Sequence, residues 1–140
     1  MLKKTLVSLG LSLCLVSSLS ANEELKANMI KLSDSMTKAQ SGFYANDKKT
    51  VLEAILQLRK DSKAVLSNKK KITELLPEKI KYKASIAINT AELIERYADQ
   101  IEYTLQDNNM RTINQQMRTQ KAFGDIQKQC FRCHNLVRDW

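Results

Sequence analysis

Three side chains able to do chemistry stand in one pentapeptide, Cys130-Phe131-Arg132-Cys133-His134. Thiols three positions apart fall on one face of a helix, and the imidazole follows directly. Cys-x-x-Cys-His is the attachment sequence for a c-type haem: the thiols meet the two vinyl groups, and His134 turns onto the iron as its proximal ligand. The expected cofactor is one covalent haem c, carried as thioethers by Cys130 and Cys133. Two other chemistries fit less well. A thiol–disulfide centre normally opens a helix in a βαβ setting, whereas this motif closes a helix and no strand pattern is visible. A structural zinc site wants four protein ligands, yet His134 is the only histidine.

The third cysteine, Cys14, lies in a segment with a different role. A basic start (Lys3, Lys4), an apolar run over residues 5–16 and small residues at Ser18, Ser20 and Ala21 read as a secretory signal peptide. Residues 1–20 are expected to leave, with cleavage near Ser20 or Ala21, and residues 21–140 to form one domain. The apolar run is too short to span a bilayer, so no membrane span is expected after processing. Covalent haem attachment in bacteria takes place outside the cytoplasm, so a periplasmic location agrees with the motif. Removal of Lys3 and Lys4 lowers the formal charge from +8 to +6.

The elements that must position the motif are helices. Only 3 Gly and 1 Pro occur in 140 residues, too few for the hairpins of an all-β fold. Leu25, Met29, Leu32, Met36, Ala39 and Phe43 recur with gaps of four and three, a bundle seam. Gly42 and Asn46-Asp47 mark a turn, with Asp47 as N-cap of a second helix. That helix carries Val51, Ile55, Leu58 and Val65, interrupted by Ser62. Residues 69–76 read as a basic, weakly patterned connection, and Pro77 suits the first turn of a third helix. The third has the cleanest stripe: Ile80, Ala84, Ala87, Ala91, Ile94, Ala98, Ile101 and Leu105. Asp107-Asn108-Asn109 breaks it. A fourth helix then runs from about Met110 to Val137, its stripe passing from Met110, Ile113 and Met117 to Phe123, Ile126, Cys130, Cys133 and Val137. Long amphipathic helices with short connections favour antiparallel neighbours, hence an all-α, up-down-up-down four-helix bundle with one covalently attached haem.

With Cys-x-x-Cys-His near the end of the last helix, the chain resembles the cytochrome c-prime group and its low-spin four-helix-bundle relatives. Arg138 matches the Arg that often stands four residues after the His, whereas Val137 replaces the usual aromatic. Asn28-Met29-Ile30-Lys31-Leu32 is similar to the first-helix segment that supplies a Met ligand in low-spin members. The resemblance also implies a homodimer through the first two helices as one form of assembly.

Geometry ranks the methionines as sixth ligand. His134 lies six residues from the chain end and Met29 six residues beyond Glu23, each about 9 Å from the same bundle floor. Met36 sits about 10 Å higher; Met110 and Met117 lie about 36 and 25 Å from His134 along one helix and are expected in the core. With His134 and Met29 bound, the iron is six-coordinate, its potential is raised, and a one-electron carrier is expected. If Met29 only packs, the iron is five-coordinate and nitric oxide or carbon monoxide can bind. No catalytic constellation competes, so no enzymatic activity is expected.

Lys69, Lys70 and Lys71, followed by Lys79, Lys81 and Lys83, form a basic collar at the haem end. It either steers an acidic periplasmic redox partner or is a solvated face. Nucleic acid is not expected, since no aromatic residues interleave with the basic ones. Phe131 and Trp140 are expected to shield the macrocycle, and Tyr97 and Tyr103 to pack half-buried. Arg138 has two readings, as partner of a haem propionate or as cap of the last helical carbonyls.

Overall fold

The computed structural model describes residues 13–106 and 113–137, with side chains from residue 23 onward within those ranges. Every regular element among the described residues is a helix: α1 (Leu13–Tyr44), α2 (Lys48–Leu66), α3 (Lys69–Leu75), α4 (Ala84–Gln106) and α5 (Ile113–Val137), with a 3-10 segment at Glu78–Lys83. None of the described helices is long and apolar enough to cross a membrane. α1 passes through the expected cleavage point at Ser20/Ala21 without a break. Residues 1–12, the Asp107-Asn108-Asn109 break, Met110, Arg138 and Trp140 lie outside the described residues.

The reversal from α1 to α2 is built by two residues. Asn46 takes the left-handed conformation, φ 53°, which Asn tolerates better than other side chains. Its N–H donates to Phe43 O (3.2 Å), and the Asp47 N–H donates to Gly42 O (2.9 Å), the paired bonds of a Schellman end. Asp47 then caps α2: its carboxylate accepts from Lys49 N (3.0 Å), Thr50 N (3.1 Å) and the Thr50 hydroxyl (2.6 Å). The Thr50 hydroxyl leads the contacts that hold this carboxyl below its usual range. Gly42 permits the close approach, because a Cβ there would meet Val51 Cγ2 at 2.8 Å and Val51 N at 3.0 Å.

Packing follows the stripes. All eight positions from Ile80 to Leu105 are buried, as are Val51, Ile55, Leu58, Ser62 and Val65 of α2. Among the described residues the Ser62 hydroxyl has no hydrogen-bond partner. α1 packs mainly on α2, α2 on α4, and α4 on α5, with slight direct contact between α1 and α5. On α1 only Leu32 and Ala39 of the seam are buried; Leu25, Met29, Met36 and Phe43 are partly so. α2 and α4 run antiparallel, since Arg59 pairs with Asp99 and with Glu102 (2.7 Å), while Lys63 pairs with Glu95 (2.9 Å). Burial works against the Arg59 charge, but those two acids hold its guanidinium above its ordinary range.

Four expectations need correction. Residues 69–76 are not a plain connection: Asn68 accepts from Lys71 N (3.0 Å) and caps α3, which buries Ile72 and Leu75, with Leu76 buried just beyond. Three apolar residues at helical spacing outweigh the basic composition. Pro77 does not start an α-helix. It stands at φ −53°, ψ 144°, after an extended Leu76, as a proline imposes on its predecessor, and a 3-10 segment intervenes before α4. The early stripe of α5 is out of phase. Ile113 and Met117 are 74% and 61% exposed, because Met117 lies nine residues before buried Ile126, half a turn away at about 100° per residue. The buried face is Thr119, Ala122, Phe123, Ile126, Gln129 and Cys133. Finally, Tyr97 is half-buried but Tyr103 is exposed; Phe131 on α5 is 68% exposed.

Candidate functional site

The α1–α5 seam opens at one end into a cavity of about 510 Å³, within the range of small-molecule sites. Leu25, Lys26 and Met29 of α1 form one wall; Cys133, His134 and Val137 of α5 form another. Leu66, Ile72, Leu76, Pro77 and Ile80, from the end of α2 through the 3-10 segment, join Ala87 of α4 in closing it. Met29 and His134, 105 residues apart by number, thus line one hollow. Both are half-buried.

The thiols sit differently. Cys133 is buried on the cavity wall, and Cys130, one turn earlier, is half-buried against the core without lining the cavity. Burial pushes both thiols up; the neighbouring Cys133 adds to the effect at Cys130, and a hydrogen bond with Thr90 opposes it at Cys133. They also lie in the last two turns of α5, where the helix dipole is negative. Reactive dithiols need the opposite environment, a helix N-terminus or nearby cations that favour the thiolate. Neutral, sheltered thiols at a helix end lack the surroundings that activate a disulfide-exchange centre. Among the described residues no group of three or more His, Cys, Asp or Glu could hold a metal ion, so they offer no four-ligand zinc site.

Of the other methionines, Met36 is half-buried but off the cavity, Met117 is exposed rather than in the core, and Met110 is outside the described residues. The basic collar divides. Lys71 pairs with Glu24 (3.1 Å), Lys81 with Glu78 (2.6 Å), and Lys83 donates to the Leu136 carbonyl (2.5 Å) at the end of α5. Lys69, Lys70 and Lys79 are exposed beside the cavity wall formed by α3 and the 3-10 segment.

Two further hollows lack comparable donors. One of about 60 Å³ lies at the opposite end, near Phe43 and Leu105. An open groove between α1 and α2 is lined by solvated charges such as Asp34, Lys38 and Lys60. Some residues of the site are not singled out by the sequence: Lys26, Ile72 and Leu76 on the wall, and Thr90, which bonds Cys133. Lys26 had a signal, since it precedes Met29 by three residues and shares its face. Thr90 lies on α4, and nothing local points from it to Cys133. Comparison of the chain with protein-family models, curated proteins and solved structures gave no match.

Proposed function

We propose that the chain is an exported monohaem c-type cytochrome, similar to the low-spin relatives of cytochrome c-prime, that carries single electrons between periplasmic proteins. The observation that carries this reading is the shared cavity: Cys133 and His134 on one wall, Met29 on the other, apolar side chains between. A hollow of this volume and polarity fits a tetrapyrrole, and an imidazole and a thioether on its walls would be chemically suitable donors to its iron. An up-down-up-down bundle is supported by the tight reversal at Asn46-Asp47, the antiparallel ion pairs of α2 and α4, and the Lys83–Leu136 contact. That contact joins the end of the 3-10 segment, just before α4, to the end of α5.

Held through Cys130 and Cys133, haem c supplies a one-electron iron couple. The chain's own residues set its conditions. His134 on α5 and Met29 on α1 would be the residues that hold the iron, and with both engaged a gas or substrate would be kept from it. Leu66, Ile72, Leu76 and Ile80 exclude water, and a dry surround favours the less charged, reduced state. Lys69, Lys70 and Lys79 leave the rim positive toward an acidic redox protein. Electrospray mass of the exported, denatured protein tests the reading. Haem must remain covalently attached after unfolding and be lost in the Cys130→Ser, Cys133→Ser double variant; denatured wild-type chain without haem would remove the proposal.

A further inference from the structure

The cavity is apolar apart from His134, the Cys133 thiol and one cation, Lys26. Lys26 is exposed, so its ammonium reaches the mouth rather than the floor. Among the described residues it has no ion pair, whereas Lys71, Lys81 and Lys83 nearby are engaged by Glu24, Glu78 and the Leu136 carbonyl. It stands one turn before Met29 on α1, so both side chains serve the same wall. A lone ammonium at the lip of an apolar hollow is complementary to a ligand that is apolar over most of its surface and anionic at one edge.

We propose, resting on the haem reading above, that Lys26 is a positioning residue that binds a haem propionate carboxylate at the α1 side of the cavity mouth. The pairing fixes which edge of the macrocycle faces solvent. It also keeps a positive charge near the iron, which favours the reduced state over the more positive oxidised one. The solvated stem of Lys26 covers the Met29 side of the opening. Lysine rather than arginine suffices, because a single carboxylate at an exposed lip needs a point charge rather than a fixed fork.

Redox titration of the haem-loaded full chain tests this, using wild type, Lys26→Gln and Lys31→Gln. Lys31 lies on the same helix, is exposed and does not line the cavity, so its variant removes the same charge elsewhere. The expected result is a lower reduction potential in Lys26→Gln than in Lys31→Gln, restored by Lys26→Arg. Equal shifts in the two Gln variants, or none in either, would overturn the role of Lys26 while leaving a red wild-type protein and its cytochrome reading intact. A wild-type protein without haem would overturn both.

Discussion

At the scale of single residues, the account turns on Met29. It is the one methionine among the residues that line the cavity with His134, while Met36 lies outside the hollow. Met29→Ala is therefore expected to abolish the iron–sulfur charge-transfer band of the oxidised protein and to open the iron to carbon monoxide. Met36→Ala should do neither; loss of the band in Met36→Ala alone would reassign the ligand. That Met29, Cys133 and His134 meet at one cavity was legible, because helical spacing puts the motif and Met29 at the same end of the helices. Lys26 and Thr90 were not singled out, since their relevance depends on which helices meet. Met117 is exposed because it lies half a turn from the buried residues that continue its stripe.

At the scale of elements, the reversal between α1 and α2 decides how closely those helices approach. Gly42→Ala would push a Cβ into Val51, with a cost of about 1–3 kcal/mol typical of overpacking. Gly124, with nothing within 4 Å of a built Cβ, is the matched control. Gly124→Ala should stabilise α5 by up to about 1 kcal/mol, from helix propensity alone. Urea unfolding of the two variants checks both signs. Asp47 adds a pH dependence. Its carboxyl is held below the ordinary value of 3.8 by the Thr50 and Lys49 contacts, so the ionised cap contributes stability above that pH and loses it as pH falls through the folded value. Wild type should therefore exceed Asp47→Asn in melting temperature at neutral pH, and the gap should close as pH drops below 3.8.

The elements themselves were unevenly readable. The stripe from Ile80 of the 3-10 segment through Leu105 of α4 is buried at every position, because an unbroken alternation of three and four leaves no other phase. Residues 69–76 hid a helix because five polar residues surround Ile72, Leu75 and Leu76, and the capping Asn68 looked like the end of the preceding helix. The 3-10 segment after Pro77 was not legible: its side chains fit an α-helix equally well, and the backbone changes only where Leu76 and Pro77 are forced extended.

At the scale of the whole molecule, slight contact between α1 and α5 leaves a seam that a ligand can fill, while α2 and α4 supply the continuous core. This explains why α1 is the least buried of the amphipathic seams: its inner face is shared between helix packing and the cavity wall. Charge is distributed to match. Lys69, Lys70 and Lys79 remain exposed at the cavity end, so electron exchange with an acidic protein should slow as ionic strength rises, and slow less in Lys69→Gln, Lys70→Gln. A rate flat with salt in the wild type would remove the steering role of these lysines without touching the iron site.

A haem held between His134 and Met29, as proposed, would show in the absorption spectrum of the exported protein, oxidised and reduced, with and without carbon monoxide. A low-spin c-type spectrum on reduction, an iron–sulfur band on oxidation and indifference to carbon monoxide are expected. A high-spin spectrum shifted promptly by carbon monoxide would contradict Met29 ligation and make the protein a gas binder. A colourless protein would contradict the cytochrome assignment itself.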